Sequence, residues 1–468
     1  MSNFLEGSIE TIAASLRDGS TTSVALAREA EANHARFGAM LGAYKVRDPK
    51  RFMAEARAAD AAFAAGLDFG PLQGIPVSVK DLYGVCGYPT CAGTPAPLPE
   101  KWTREGPVVG ALRRALAPVS GKTHTVEFAF GGIGTNAHWG APRNPWDAAA
   151  HRVPGGSSAG AGVSLAEGSA LIALGTDTAG SVRVPASFTG AVGIKTSFGR
   201  WSVDGVVPLS PSLDTAGVLA RNVADATLAF AAIDPLTEMP AAALLAGLGE
   251  LELSDIRIGV CAPHFEGCDP GVAEGVEAAL DELSKGGAQV TAIALPEIDE
   301  ALKIFLRGGL AAPEFAAFIN NEMLDRKATL DPNVAARFES MEAVPAIDYL
   351  TRRDRLAYLA GSIDERMSAV NVIVGPTVPI TPPTLEAVAD IDGYRAHNMP
   401  ALRNTQSANT LRLCAVTIPV ALDAAGMPVG LQIMAPLGED EYALAVALAF
   451  ERALGTARER LGPPPLCT

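Results

Sequence analysis

The chain has 468 residues, 48% hydrophobic but only 6% aromatic, with 37 lysines and arginines against 52 aspartates and glutamates. The resulting net charge of −15 excludes a nucleic-acid partner, because phosphate binding needs a basic stripe. The length suits three average domains or one large α/β domain, and a core of small aliphatics favours close helix–sheet packing.

Helical periodicity covers 8–37 and 49–65, with Met40–Val46 between them as a short strand. Ile75–Lys80 alternates as a strand, with Val77 and Val79 on one face and Ser78 and Lys80 on the other. A helix at 107–116 leads to a strand at 118–120. Residues 131–215 are glycine-rich, as tight turns and close backbone approach require. Within them a helix is expected over 158–167, capped by Ser157 and Ser158, with strands at Ala170–Leu174 and Ala191–Lys195. A helix follows at 222–233, then an Ala/Leu/Pro-rich surface excursion at 235–250. Ile256–Cys261 and Gln289–Ala294 read as strands flanking a helix at 270–285. Residues 298–368 are mostly helical, and Val370–Val374 is a strand closed by Pro376. Cys414–Ala421 and Val429–Ala435 form a hairpin about an Asp-Ala-Ala-Gly turn, and the last helix spans 439–455. Strands and helices alternate without repeat or linker. The expected fold is one α/β domain over 1–468, a central mixed sheet with helices on both faces. Its motif-bearing core is 70–235 and its more variable helical part 235–368.

Six cysteines without zinc spacing or a disulfide framework fit a reducing cytoplasm. The first twenty residues lack the basic and apolar regions of a signal peptide, and no apolar stretch approaches the roughly 20 residues of a membrane span. A soluble cytoplasmic protein is expected, with no membrane partner, no metal and no cofactor; a homodimer stays open.

The chemistry concentrates in 155–185, which holds two glycine-flanked serines, Ser157 and Ser181, downstream of the strand-end Lys80. Amide hydrolysis needs a nucleophile, a base, an acid for the leaving amine and donors for the oxyanion. Ser181 follows a strand in a glycine-rich turn, so the amides of Thr178, Ala179, Gly180 and Ser181 can converge on one point. Lys80 can serve as base only when neutral. Its pKa must then fall from about 10.4 to roughly 7–8, a cost on the order of 4 kcal/mol that burial would impose. Lys195 has a similar apolar context, and the residues alone do not choose between the two lysines.

The segments Gly74-Ile-Pro-Val-Ser-Val-Lys-Asp81, Gly121-Lys-Thr, Glu127-Phe-Ala, Gly140-Ala-Pro-Arg-Asn-Pro145, Gly155-Gly-Ser-Ser158, Gly175-Thr-Asp177, Gly180-Ser-Val-Arg183 and Gly193-Ile-Lys-Thr196 together resemble the amidase signature family of Ser–cis-Ser–Lys hydrolases. Ile418-Pro and Gly426-Met-Pro-Val-Gly-Leu-Gln-Ile433 extend the resemblance. It implies Lys80 as base, Ser157 as a proton relay after a cis peptide bond, and Ser181 as nucleophile. Supporting roles fall to Asp177 and Arg183, a hydrogen-bonding role near the lysine to Ser158, and a structural position to Lys195. The implied substrate is a small carboxamide, aryl amide or carbamate. Ala159 and Ala179 stand where the family more often has glycine, and their methyls would narrow the acyl pocket. His138 and Trp139, before the motif, and Tyr83 and Cys86, after Lys80, are candidates for the pocket lining.

Three rivals are weaker. Gly156-Ser-Ser-Ala-Gly160 fits an esterase elbow with Ser158 as nucleophile and His264 or His397 as base, but no strand precedes it. Ser120-Gly-Lys-Thr123 imitates a P-loop whose first glycine would fall on Leu116. A glutamine-hydrolysing component of a tRNA-dependent amidotransferase complex shares the motifs, but the acidic charge and an atypical 385–412 segment argue against it.

Overall fold

The computed structural model describes residues 4–468. Its strands are β1 (Tyr44–Val46), β2 (Val77–Lys80), β3 (Val119–Thr123), β4 (Ile172–Asp177), β5 (Val192–Lys195), β6 (Thr215–Ala220), β7 (Arg257–Val260), β8 (Gln289–Ala292), β9 (Val372–Pro376), β10 (Cys414–Leu422) and β11 (Pro428–Ala435). They form one 11-stranded sheet in the order β1-β3-β2-β4-β6-β5-β10-β11-β9-β7-β8. β2 runs parallel to β3 and β4, and β7 runs parallel to β8 and β9. The intervening pairs are antiparallel, so the sheet is mixed.

Both faces are covered because both sides of the central strands are apolar. On β4, Ile172 and Leu174 join the main core with Phe230, Leu444 and Phe450. Ala173, pointing the other way, packs with Ala161, Leu165, Val182 and Ala186. These small residues let the helices Ala161–Glu167 and Arg183–Thr189 approach the sheet closely. The alternation expected for β2 holds: Val77 and Val79 enter the main core, while Ser78 Oγ lies 2.9 Å from Ser164 Oγ on the opposite face. Lys80 shares that face by the two-residue period.

Several boundaries differ from the sequence reading. The helix expected over 8–37 is two, Ile9–Arg17 and Ser23–Leu41, each with its own side-chain cap, Ser8 and Thr22. The helix expected from 158 begins at Ala161 with no side-chain cap, because the Ser157 and Ser158 hydroxyls bond elsewhere. The 235–250 excursion contains a helix, Ala241–Leu248, that buries Leu244. β6 and the helix Arg183–Thr189 were not expected. The first is Thr-Ala-Gly-Val-Leu-Ala, poor in β-formers, and the second carries Pro185 in its first turn, where proline is tolerated.

Lys195 ends β5 fully buried, its Nζ donating to the carbonyls of Thr196 at 2.8 Å and Leu413 at 2.9 Å. It therefore joins β5 to the start of β10. Lys195→Ala should lower the unfolding free energy by about 2–4 kcal/mol, through a cavity and two unsatisfied carbonyls. Urea unfolding checks this; an unchanged midpoint would show that the tie contributes nothing.

Candidate active site

The carboxyl ends of the parallel strands β2 and β4 lie side by side, in register from Val77↔Ile172 to Val79↔Leu174. In open α/β sheets such strand ends are where sites form. Lys80 closes β2, and Thr176 and Asp177 close β4. Lys80 Nζ lies 2.7 Å from Ser157 Oγ and 2.8 Å from Thr176 Oγ1. No carboxylate among the described residues pairs with it. Burial lowers its pKa to about 7, while the charges of Asp177 and Asp214 act in the opposite direction.

The Gly156–Ser157 peptide bond is cis. The Ser157 carbonyl accepts the Val126 N–H at 3.1 Å and the Thr125 hydroxyl at 3.1 Å. The next residue, Ser158, donates its N–H to the Ser181 carbonyl at 3.2 Å, which joins the two serine loops. The Ser158 hydroxyl points to the Thr176 carbonyl at 3.4 Å. Lys80, Ser157 and Ser158 are wholly buried, whereas Ser181 keeps 4% exposure. Among the three serines, Ser181 is thus the one an incoming molecule can reach.

The loop bearing Ser181 is folded around one carboxylate. Asp177 accepts the N–H groups of Gly180 (2.8 Å), Val182 (3.1 Å) and Arg183 (3.4 Å), and pairs with the Arg183 guanidinium at 2.9 Å. Burial alone would raise the Asp177 pKa; Arg183 overrides it and holds the carboxyl well below its usual range. Arg183 reaches further, to the Thr405 carbonyl and Asn409 in one segment and to Gln432 in another, so two distant segments brace the turn. Gly180 sits at φ +132°, where a Cβ would meet Thr405 Oγ1 at 2.2 Å, so glycine is required there.

Of the four expected oxyanion donors, Gly180 needs correction: its N–H is already given to Asp177. No acceptor among the described residues takes the N–H of Thr178, Ala179 or Ser181. Ala179 lies outside the positive-φ region, so its methyl causes no backbone strain. Ala159 is fully buried and does not line the opening.

The four pocket candidates separate. Tyr83 is buried beneath the site, its hydroxyl donating to the Gly175 carbonyl at 2.7 Å, so it supports β4 rather than lining a pocket. Cys86 is exposed, its N–H bonded to Glu105 at 2.9 Å, and Glu105 pairs with Arg113; it belongs to that charged surface and not to the serines. His138 Nε2 lies 3.1 Å from Glu127 Oε1. Trp139 donates to the Thr94 carbonyl at 3.0 Å and meets the His124 ring edge-on at 5.4 Å. Both thus brace the loop that leads into the serine segment.

The rival chemistries lose their partners. Lys195 bonds carbonyls and no hydroxyl. Lys122, of the P-loop imitation, is buried in an ion pair with Asp81 at 2.8 Å. His264 is buried with no partner among the described residues for either ring nitrogen, and His397 bonds the Gly393 carbonyl, so neither serves Ser158. Among the described residues no cluster of histidine, cysteine, aspartate or glutamate could hold a metal, and no helix is long and apolar enough to cross a membrane.

Three residues escaped the sequence reading. Thr176 is the second hydroxyl on Lys80, and the Gly175-Thr-Asp177 motif could have signalled it. Asp214 accepts the Thr178 hydroxyl at 2.5 Å. Arg337, on the short helix Pro332–Phe338, donates to the Phe130 carbonyl at 3.2 Å and stacks on the Phe130 ring at 4.0 Å. Burial pulls its pKa below the ordinary value, and no carboxylate among the described residues pairs with it. Phe130 leads directly to Gly132, whose carbonyl accepts the Gly156 N–H at 2.8 Å, so Arg337 stands near the cis-serine loop. Phe315 packs against Phe130 and Phe128, at 5.0 and 5.6 Å, and closes this side with an aromatic wall.

The family model described as Amidase matches residues 26–444. The chain is 50% identical over 456 residues to the 2-amino-5-chloromuconic acid deaminase of Comamonas testosteroni, covering 97% of each protein. It is 34% identical to a glutamyl-tRNA(Gln) amidotransferase component from Mycolicibacterium gilvum, over 86% of this chain and 88% of the relative. Among solved structures, an amidase aligns with a TM-score of 0.85 and 31% identity, over 96% of this chain and all of the other. The chain therefore belongs to the amidase family, and it is a hydrolase of carbon–nitrogen bonds.

Proposed function

We propose that the hydrolysis runs through a covalent serine intermediate, with Ser181 as nucleophile, Ser157 as proton relay and Lys80 as base. The observation that carries this is the 2.7 Å contact of a buried, carboxylate-free Lys80 amine with the Ser157 hydroxyl. A lysine with a pKa near 7 is largely neutral at pH 8, and its lone pair can take the Ser157 proton. Ser157 in turn takes the Ser181 proton as Ser181 Oγ bonds to the electrophilic carbon. The amides of Thr178, Ala179 and Ser181 face the charge that develops on oxygen. The proton held on Lys80 returns through Ser157 to the leaving nitrogen, which departs as ammonia or an amine. Water then attacks the ester by the same relay in reverse and frees Ser181. Thr176 holds the amine in line and Ser158 ties the two loops together.

The substrate we infer is a small carboxamide, or related acyl C–N compound, that also carries a carboxylate. The relative at 50% identity acts, by its name, on an amino-substituted dicarboxylic acid. Arg337 supplies what such a substrate needs: a half-buried guanidinium without a protein carboxylate among the described residues, set against Phe130 beside the cis-serine loop. A charge-assisted pair with a substrate carboxylate would satisfy it. Six free cysteines fit a cytoplasmic setting for this chemistry.

Three outcomes follow. Ser181→Ala should reduce kcat by about 10⁴-fold or more, and Lys80→Ala by roughly 10²–10⁴-fold, with far-ultraviolet dichroism unchanged. Lys195→Ala should keep its kcat within a few-fold; a reversed order of the lysines would move the base to Lys195. Because the neutral amine is the active form, kcat/KM should fall as the pH drops below about 7, and a profile flat from pH 5.5 to 8 would remove Lys80 from the mechanism. Arg337→Met should raise KM about 10–100-fold for a carboxylate-bearing amide while barely changing kcat/KM for its neutral ester or amide analogue. Equal losses on both substrates would refute the carboxylate assignment.

A further inference from the structure

Asp214 stands in the turn before β6, opposite the end of β4, and is buried. Its Oδ1 accepts the Thr178 hydroxyl at 2.5 Å, and its Oδ2 accepts the N–H groups of Leu209 and Ser210, each at 2.9 Å. Thr178 lies two residues beyond Thr176, whose hydroxyl takes the Lys80 amine at 2.8 Å. Asp214 is therefore tied to the segment that holds the amine at one end and begins the Ser181 turn at the other. Unlike Asp177, whose charge is met by Arg183, it has no lysine or arginine partner among the described residues.

We propose that Asp214 is a positioning residue for the hydrolytic site: it clamps Thr178 in place and supplies an uncompensated negative charge to the buried surroundings of Lys80. The inference rests on Lys80 acting as the base.

The Thr178 amide is the first of the oxyanion donors, and its direction follows the side chain that Asp214 holds. A hydrogen bond between a carboxylate and a hydroxyl is among the stronger kinds, and both partners are out of water here. The electrostatic part has a definite sign. Burial pushes the Lys80 amine toward neutrality, and each nearby anion pushes it back toward the charged form. The charged and titratable groups around the pair are few. Asp177 on β4 faces Arg183 and feels Lys195. Asp81, next to Lys80, is paired with Lys122 on β3. Tyr83, whose hydroxyl bonds Gly175, is pushed further up by the charge of Asp214. Glu314, on the helix Ala311–Glu322, accepts the Ser210 hydroxyl at 2.7 Å and the Tyr349 hydroxyl at 2.8 Å, and it raises Asp214 in turn. Asp177 exerts the larger pull on the amine, but removing it would also release Arg183 and the Ser181 turn, so Asp214 is the anion whose charge can be removed by itself. Burial raises the Asp214 carboxyl itself to about 6, so its charge is present at neutral pH and fades in mild acid.

The test is the pH profile of kcat/KM for Asp214→Asn beside wild type, on a neutral carboxamide. Without the negative charge Lys80 stays neutral to lower pH, so the acid limb should move down by roughly one unit. The plateau kcat should fall about 10-fold or more, with KM within about three-fold, as expected for a lost transition-state donor. Thr178→Val is the companion variant: it removes the hydroxyl clamp but keeps the Asp214 charge. It should lower kcat while its acid limb stays or moves up. A merely structural Asp214 would lower activity in both variants without moving either limb, and that result overturns the inference. A wild-type limb that Asp214→Asn leaves in place overturns it while sparing Lys80. A wild-type profile with no acid limb overturns the Lys80 assignment and this inference together.

Discussion

Three lysines are fully buried near the carboxyl ends of the central strands, and the atoms around each decide what it can do. Lys122 faces the Asp81 carboxylate at 2.8 Å and is taken up in that ion pair. Lys195 faces two carbonyls, which only accept and so leave a neutral amine's lone pair idle. Lys80 faces two hydroxyls, Ser157 and Thr176. A hydroxyl can accept from an ammonium or donate to an amine, so this environment alone tolerates both protonation states at one geometry. Desolvation then places the balance near neutral pH, where a base works best. The proposed chemistry depends on that choice of neighbours more than on the lysine being buried.

The second organising element is the Asp177–Arg183 pair. A buried pair of this kind adds little net stability by itself, since desolvation offsets most of the attraction. Its effect is geometric. By taking the N–H groups of Gly180, Val182 and Arg183, the carboxylate curls the turn so that the Thr178, Ala179 and Ser181 amides are left over. Arg183 anchors that curl to Thr405, Asn409 and Gln432, more than 220 residues away in the chain. The proposed oxyanion donors are thus set in part by an ion pair buried behind the turn.

This division explains what the sequence could reveal. The strands at 75–80, 170–174, 191–195 and 256–261 were legible because each is a short apolar run with clear flanks. β6 was not, because Thr-Ala-Gly-Val-Leu-Ala is held in place by its neighbours β4 and β5 rather than by its own propensity. That Lys80 and the two serine loops come together was legible through glycine spacing and family resemblance, since local backbone needs leave marks in sequence. The loss of Gly180 as an oxyanion donor was not, because it turns on which way one N–H points. Asp214 and Arg337 were invisible for a different reason. Each acts across the fold, on Thr178 and on Phe130, and an isolated Asp or Arg in a helical or turn segment carries no spacing to read.

The same division separates reaction from recognition. The proposed catalytic groups stand on strand ends and turns within 80–183, braced by the sheet. The aromatic wall and Arg337 come from Phe315 and the short helix at 332–338, in the helical part of the chain. Besides these aromatic contacts, the two parts are joined at Glu127. Its Oε2 accepts the Asp331 N–H at 2.6 Å, and Asp331 caps the helix that carries Arg337 while its Oδ2 takes the Ala137 N–H at 2.7 Å. The helix is therefore held to the catalytic part at both ends, by the Asp331 cap at its start and by Arg337 on Phe130 near its end. None of these contacts touches Lys80, Ser157 or Ser181 directly. In the proposed reading, this arrangement keeps the hydrolytic centre on the sheet while the residue at position 337 sets the charge offered to the substrate.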